Sequence, residues 1–281
     1  MHTPVLLQQV IENLKINRSG KYIDATAGSG GHLKEILKRG CRVLAIEVDD
    51  FQVERLKKQA LNFPNSKNLK IVNSNFSEIE DIAKKNRFYP VDGVLFDLGL
   101  SFDQLNRSGK GFSYKRKHEV LDMRLSNKYR IYATNIVNSF NINELYEIFA
   151  RNSEEVNSRT IAENIVKSRS MRKIKTVGDL VEIINKSLNR YDEHVLSRIF
   201  QSLRMHVNNE INNLRKALKG SLNILVKNGR LLVITFHSIE DRVVKNFIKN
   251  SPNDIFQLAL IKGGPEKQFE RSAKLRVLIK K

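Results

Sequence analysis

Over the first hundred residues, short apolar runs alternate with helical patterns. "KYIDA", "RVLAIE", "LKIVNS" and "VDGVLFDL" read as strands, while "HLKEILKRG" and "DFQVERLKKQAL" between them carry apolar residues at helical spacing. Strands that alternate with helices pair in parallel, because each return to a parallel neighbour needs a crossover, and the crossover helices cover the sheet. The chain is therefore expected to be α/β, with a parallel sheet and helices on both faces. The helix that begins near Gly31 is expected to stop at Gly40, a residue suited to a helix C-terminus.

After about Leu105 the pattern changes. A loop bearing Gly and Arg, "NRSGKGFSYKRKHEVLDMRLS", leads into "INELYEIFAR", "SRTIAENIVKSR" and "TVGDLVEIINKSL", which have helical spacing and almost no strand signal. One long helical pattern, "HVLSRIFQSLRMHVNNEINNLRKALKGSLNIL", then returns the chain to two strands, "GRLLVITF" and "AKLRVLIK". Because the strand alphabet comes back, residues 106–205 read as an all-helical insertion into an α/β domain formed by 1–105 and 206–281. There is no internal repeat and no long disordered tract.

Within 281 residues, 41% hydrophobic, there is enough apolar material for a sizeable core. Lys and Arg number 49 against 30 Asp and Glu, a formal charge of +19, which favours a polyanionic partner. The excess is spread through a chain rich in Lys, Asn and Ile, so charge alone does not locate a patch. A single cysteine, Cys41, rules out an intramolecular disulfide framework and fits a reducing compartment. "MHTPVLLQQVIENL" is interrupted by Gln and Glu where a secretory signal needs an apolar stretch, and no run reaches the roughly 20 apolar residues of a membrane span. A soluble, cytoplasmic protein with no membrane partner is expected. The six histidines, at 2, 32, 118, 194, 206 and 237, do not have metal-ligand spacing, and no metal is expected.

"YIDATAGSGGHLKEIL" runs strand, turn, helix, the context in which a glycine-rich turn carries meaning. Glycines let backbone N–H groups approach a ligand, and the helix N-terminus favours negative groups. A dinucleotide fingerprint would place a third glycine at position 33, where Leu33 stands. The alternative occupant is S-adenosylmethionine, with its carboxylate near the turn and its ribose on an acid ending the next strand. Glu47 ends "RVLAIE" at close to the required separation. Asp49 and Asp50 read instead as caps of the following helix.

"VDGVLFDLGLSFDQLN" places Asp97 at the carboxyl end of its strand, beside the first strand, where a doubly wound sheet reverses order and ligands bind. Ser101 and Gln104 lie one turn further and could face the same crevice. Methylation at carbon 5 of a pyrimidine usually needs a cysteine nucleophile, yet Cys41 precedes the second strand, far from the strand ends where a reacting group belongs. Direct transfer to nitrogen or oxygen remains. A DNA amine methyltransferase would carry a Ser/Asp-Pro-Pro-aromatic motif after the fourth strand, and "DLGLS" has no proline, so no DNA partner is expected. "FHSIEDRVVKNF" puts His237 and Ser238 at another strand's carboxyl end, either as a substrate edge or as a helix start capped by Ser238. Glu240, Asp241, Arg242 and Lys245 read as ion pairs on a helix surface, and "KSRSMRKIK" as a solvated basic face.

Eight separated blocks now stand in order along nearly the whole chain: "HTPVLLQQV", "DATAGSGGH", "DLGLSFDQL", "KGFSY", "LDMR", "FQSLRMHVNNE", "FHSIEDRVVK" and "RSAKLR". With them the chain closely resembles the MraW/RsmH family of ribosomal RNA small subunit methyltransferases. The resemblance implies a class I, Rossmann-like S-adenosylmethionine-dependent fold with an inserted all-helical domain. It also implies methylation of the N4 amine of a cytidine in the decoding region of bacterial 16S rRNA, within the small ribosomal subunit. By the same resemblance, the cofactor contacts fall on Gly30, Gly31, His32, Glu47, Phe76, Asp97 and Gln104. The chain departs from the family pattern at Glu47, where Asp is usual, at Phe102 in place of a serine, at Asn106 in place of an acid, and in a shortened region before "RSAKLR".

The implied reaction is attack of the exocyclic amine on the sulfonium methyl. Nitrogen acquires positive charge in that attack, so an oxygen acceptor near it would help. Asp97 or a backbone carbonyl of "DLGLS" is expected to fill that role. The inserted domain is expected to recognise the substrate, with Lys110, Phe112, Tyr114 and Arg124 lining the RNA path, since RNA is read at unstacked bases by aromatic and Arg planes. Two rival readings are a nicotinamide-dependent oxidoreductase, which the missing third glycine disfavours, and a non-catalytic RNA-binding factor, which would bind RNA and yield no methyl product.

Overall fold

The computed structural model describes residues 4–264 and 270–281. The start of the N-terminal block, His2 and Thr3, and most of the region before "RSAKLR" lie outside the described residues. The chain divides into two compact units: residues 1–99 with 211–281, and the contiguous stretch 100–210 between them. The helical stretch is thus wider at both ends than the 106–205 read from the pattern change.

The first unit is built on a seven-stranded sheet. Helix α1 (Leu7–Leu14) precedes β1 (Lys21–Asp24), α2 (Gly31–Lys38), β2 (Arg42–Glu47), α3 (Asp50–Ala60), β3 (Leu69–Asn73), α4 (Ile79–Lys85) and β4 (Val91–Asp97). Strands β1 to β4 pair in parallel, and β1 lies between β2 and β4. The strand order therefore reverses between β1 and β4, as the doubly wound reading requires.

Alternate residues of each strand point to opposite faces, and the two cores follow that period. Ile23, Leu44, Ile46, Val94 and Phe96 fill one face. Tyr22, Val43, Ala45 and Leu95 fill the other, against Val10, Leu14, Leu33, Ile36, Leu37 and Leu56 of α1 to α3. Leu33, the residue that breaks the dinucleotide pattern, is fully buried there.

The helical unit comprises α5 (Phe102–Arg107), α6 (Ala133–Ser139), α7 (Ile142–Ser153), α8 (Ser158–Met171), α9 (Val177–Leu188) and α10 (Glu193–Val207), with its own apolar core of Leu, Ile, Val and Phe side chains. Its extended structure is one isolated bridge, Val120 to Thr176. Three of its helices open with reciprocal side-chain caps, at Ser101, Asn141 and Thr176.

The long helical pattern read across residues 194–225 is two helices, not one. Helix α10 ends at Val207 and α11 (Glu210–Ile224) begins after Asn209, whose φ is 51°. Asparagine tolerates the left-handed region better than most residues. Asn208 fixes the break by donating to Met123 O at 2.8 Å and accepting from Leu125 N–H at 2.8 Å.

After α11, the sheet resumes with β5 (Leu225–Thr235), α12 (Ser238–Asn250), β6 (Ile255–Lys262) and β7 (Lys274–Lys280), giving the order β3-β2-β1-β4-β5-β7-β6. Strand β5 runs parallel to β4, and β7 runs antiparallel to both β5 and β6. The strand β6, "IFQLALIK", does not show in the sequence pattern. It is an edge strand, and its alternation leaves Phe256, Leu258 and Leu260 exposed, so it does not stand out as a core strand does. Among the described residues, no helix is long and apolar enough to cross a membrane.

Candidate active site

The turn after β1 is held by the strands beside it. Ala25 N–H donates to Leu95 O and Ala27 N–H to Ile46 O, at 2.9 and 3.0 Å. Gly28 and Gly30 have φ of 50° and 81°, in the left-handed region that favours glycine. Packing reinforces the choice at two positions. A Cβ on Gly30 would meet Leu56 at 2.7 Å, and one on Gly31 would meet Pro4 at 2.4 Å. Around Gly28 the nearest atom to such a Cβ is 3.9 Å away, so the turn is open there.

Glu47 ends β2 and folds its carboxylate over this turn. Oε2 accepts from Gly28 N–H at 2.7 Å and Oε1 from Asp49 N–H at 2.9 Å. Burial raises its pKa to about 6, against the lowering effect of those two N–H donors. Asp49 caps α3 as read, accepting from Phe51 N–H at 3.0 Å. Phe76 follows β3 and meets Phe96 edge-on, with ring centroids 5.7 Å apart.

Asp97 ends β4, and its own N–H donates to Thr26 Oγ1 at 2.7 Å. Burial, with Asp24 and Glu240 adding repulsion, pushes the Asp97 carboxyl up to about 8. Its Oδ1 is shielded from solvent and has no hydrogen-bond partner among the described residues. Oδ2 lies 3.5 Å from His32 Nδ1. His32 donates Nε2–H to Val5 O at 2.9 Å, which fixes the tautomer and leaves Nδ1 as an acceptor toward Asp97. Burial lowers the imidazole to about 4, so near neutral pH His32 is uncharged.

Three residues that act on Asp97 or His32 were not singled out as site residues in the sequence. Asp24, at the carboxyl end of β1, is buried and raised to about 7, by burial first and by Glu47 further. The signal was its position, the same strand-end place that marked Asp97. Val5 holds His32 through its backbone carbonyl, a contact that the block "HTPVLLQQV" does not reveal because any residue type supplies that oxygen. Glu240 is buried, not on a helix surface, and its Oε2 accepts from Phe236 N–H at 2.9 Å.

Asp241 is likewise buried and paired with Arg276 at 2.8 Å and Lys274 at 3.3 Å, which corrects the reading of surface ion pairs. His237, not Ser238, caps α12, its Nδ1 accepting from Glu240 N–H at 3.4 Å.

In the helical unit, Ser101 and Gln104 form a reciprocal cap. Ser101 N–H donates to Gln104 Oε1 at 2.8 Å, and Gln104 N–H to Ser101 Oγ at 3.3 Å. Phe112 is a correction: at 5% exposure it sits in the helical core and has no free face for a base. Tyr114 packs edge-on against Phe200 at 6.2 Å, and Lys110 Nζ donates to Arg124 O at 3.1 Å. The Arg124 guanidinium grips both oxygens of Asp122 at 2.7 and 2.8 Å, donates to Tyr129 O at 3.0 Å and lies over the Tyr132 ring.

A parallel sheet with an antiparallel seventh strand, an open glycine turn and strand-end acids define a Rossmann-like class I methyltransferase fold with a helical unit inserted. The fold is shared with a proposed rRNA methylase from Clostridium thermocellum, 12% identical over the full length of both chains with a TM-score of 0.51. It is shared also with NSun6 from Pyrococcus horikoshii, 13% identical with a TM-score of 0.50, where the match covers 99% of this chain and 52% of that one.

A family model, the MraW methylase family, matches residues 1–281, and the chain belongs to that family. A relative from Dictyoglomus turgidum is 39% identical over 290 aligned positions, covering 99% of this chain and 96% of its own. Another from Clostridium botulinum is 41% identical over 250, covering 87% and 80%. Both carry the name "Ribosomal RNA small subunit methyltransferase H".

A methylase of this fold class takes its methyl group from S-adenosylmethionine, and the residues present fit that cofactor. Asp24, Glu47 and Asp97 are three strand-end carboxylates raised by burial and by neighbouring acids, with no Lys or Arg among the groups that act on them. A cationic ligand relieves that imbalance. The open surface at Gly28 and the orphaned Asp97 Oδ1 are further places for it to meet the chain.

Proposed function

We propose that this protein methylates the N4 amine of a cytidine in the decoding region of 16S rRNA, with the small ribosomal subunit as substrate and the bacterial cytoplasm as its place of action. The observation that carries the reading is the near-full-length match to relatives named for small subunit rRNA methylation. The basic charge of +19 supports a polyanionic substrate.

In this reading Gly30, Gly31, His32, Glu47, Phe76 and Asp97 surround the cofactor, which supplies an electrophilic methyl on a sulfonium. Glu47 takes the ribose in this reading, its carboxylate already fixed by the N–H groups of Gly28 and Asp49. Gly30 and Gly31 keep the turn close to the helix start. Gln104 acts from the start of α5, where its side-chain oxygen already holds Ser101 N–H.

Cytosine N4 is a weak nucleophile because its lone pair is delocalised into the ring, so positioning has to supply much of the rate. Alignment at about 3–3.5 Å can contribute of order 7–11 kcal/mol. Asp97 Oδ1 is the acceptor for an amine N–H as nitrogen becomes positive. In the free protein, with His32 neutral and its Nδ1 facing Oδ2, a proton on Asp97 sits on Oδ2; the carboxyl ionises beside a bound sulfonium, and Oδ1 is then the accepting oxygen of a carboxylate. His32 therefore acts as a positioning residue through Asp97. His237 and Ser238 mark a substrate edge at the end of β5, and Lys110, Tyr114 and Arg124 belong to the helical unit that recognises RNA, with Arg124 held in place by Asp122.

The deciding experiment is transfer of labelled methyl groups to small subunits that lack decoding-region methylation, with the product nucleoside identified by mass spectrometry. N4-methylcytidine or its 2′-O-methylated form is expected. Cofactor binding without a methylated nucleoside would sink the reading.

A further inference from the structure

Between the end of β5, the start of α12, Lys262 at the end of β6 and Arg271–Lys274 leading into β7 lies a cleft of about 290 Å³. His237 and Ser238 line one side; Lys262, Arg271, Ser272 and Lys274 line the other.

Several features of this cleft favour an anion. Helix α12 is 13 residues long and points its N-terminus here. The first N–H groups of any helix have no intrahelical acceptor and carry the positive end of its dipole. His237 satisfies one of them, that of Glu240, which leaves those of Ser238 and Ile239 to meet a ligand or solvent.

The cations divide in two. Lys274 is held by Asp241 at 3.3 Å, whereas Lys262 and Arg271 have no acidic partner among the described residues. The surrounding segment sharpens the contrast: residues 211–281 contain fifteen Lys and Arg against five Asp and Glu. Three of those five acids, Glu240, Asp241 and Glu270, are buried and so are turned away from the surface.

The cleft is also close to the reacting centre. Asp97 is in register with Ile234 on β5, and the cleft begins at the next residue, Thr235. Neighbouring strands are about 4.8 Å apart. A nucleotide whose base reaches Asp97 would hold its backbone within reach of this opening.

We propose that the cleft is a phosphate subsite that seats a phosphodiester of the RNA strand near the target nucleotide. Lys262 and Arg271 supply charge, and the Ser238 and Ser272 hydroxyls with the α12 N-terminus supply directed donors. The proposal rests on the reading of the substrate as RNA. A phosphate held here fixes where the strand enters relative to Asp97 without reading any base.

The test measures binding of a short single-stranded oligoribonucleotide by fluorescence anisotropy as salt is raised. Each phosphate contact on a single strand contributes a slope of about 0.7 in log K against log salt. The double variant Lys262→Ala/Arg271→Ala should lower the slope by about 0.7 and weaken binding about tenfold at low salt. Its thermal unfolding and its affinity for S-adenosylmethionine should match the parent.

Lys67→Ala/Lys70→Ala removes the same charge near β3, at the opposite edge of the sheet, and should leave the slope unchanged. An unchanged slope in the first variant, or an equal loss in the second, overturns the subsite. Methyl transfer is read separately on the unaltered protein. If that protein methylates no rRNA while Lys262→Ala/Arg271→Ala still loses slope, the substrate reading fails and the phosphate site stands.

Discussion

In the helical unit, shielded carboxylates meet arginines. Glu155 Oε2 is gripped by Arg198, and Asp122 and Glu210 are held two-pronged by Arg124 and Arg204. In the sheet unit, Asp24, Glu47 and Asp97 sit at strand ends where burial and mutual repulsion raise all three above the usual carboxylate range. A paired carboxylate helps fix a loop or helix in place. An unpaired one costs stability in the free protein and is retained where a ligand will complete it. The same residue type therefore reads as scaffold where an arginine holds it, as at Asp122, Glu155 and, in the sheet unit, Asp241, and as a ligand site at the three strand ends.

The largest effect that would break this contrast lies in the helical unit. The Glu155 side chain is 0% exposed, while Arg198 is 45% exposed. Removing the arginine strands a buried carboxylate with Asn157 alone, which donates to Oε1 at 2.9 and 2.7 Å. Arg198→Ala should therefore destabilise the protein by about 3 kcal/mol, seen as a lower denaturation midpoint with methyl transfer per folded molecule unchanged. A loss below about 0.5 kcal/mol, the level of an ordinary surface change, would mean that the pair is not part of the scaffold.

Asp97→Asn tests the other half. It keeps the shape and removes the acid, and the fold should survive or gain stability. Methyl transfer at saturating cofactor should fall about 100-fold, equivalent to about 2.7 kcal/mol. Turnover at the parent rate would remove Asp97 from the reacting centre and leave it a strand-end cap.

The pH dependence of cofactor binding comes next. With carboxyls raised to about 6, 7 and 8, lowering the pH through that window protonates the groups that should attract a sulfonium cation. A bound cation favours the ionised forms and lowers these pKa values, so binding releases protons and tightens as pH rises from 6 to 8. A gain of about tenfold, or about 1.4 kcal/mol, is expected if the bound cation lowers one of these carboxyls by about one pH unit. S-adenosylhomocysteine, which lacks the sulfonium charge, should show a shallower dependence by calorimetry. Equal slopes for the two ligands would exclude an electrostatic role for the cluster.

How far these features were legible depends on how local they are. The parallel strands, the glycine turn, Glu47 and Asp97 could be read because strand period and strand-end position are written in consecutive residues. The break at Asn209 was not, because it depends on Asn208 reaching Met123 and Leu125, more than eighty residues away. Glu240 and Asp241 read as surface charges because burial at a helix start is set by neighbours such as Arg276, 35 residues on from Asp241. Phe112 illustrates the same limit: an aromatic between Lys110 and Lys115 resembles a stacking platform until the helical core is seen to enclose it.

The smallest test separates structural from binding use at the start of the helical unit. Ser101 and Gln104 read in the sequence as crevice residues, yet each satisfies the other's backbone N–H. An N-cap serine is typically worth about 1 kcal/mol, and its loss frays only the first turn. Ser101→Ala should therefore lower stability by about 1 kcal/mol, and Ser101→Asp, which keeps an accepting oxygen, should recover most of it. If the cap is its whole contribution, affinity for S-adenosylmethionine stays at the parent value in both variants. A drop in affinity that Ser101→Asp does not restore would give the hydroxyl a direct part in binding, and would extend the chemistry of the strand ends into a residue that the comparison assigns to scaffold.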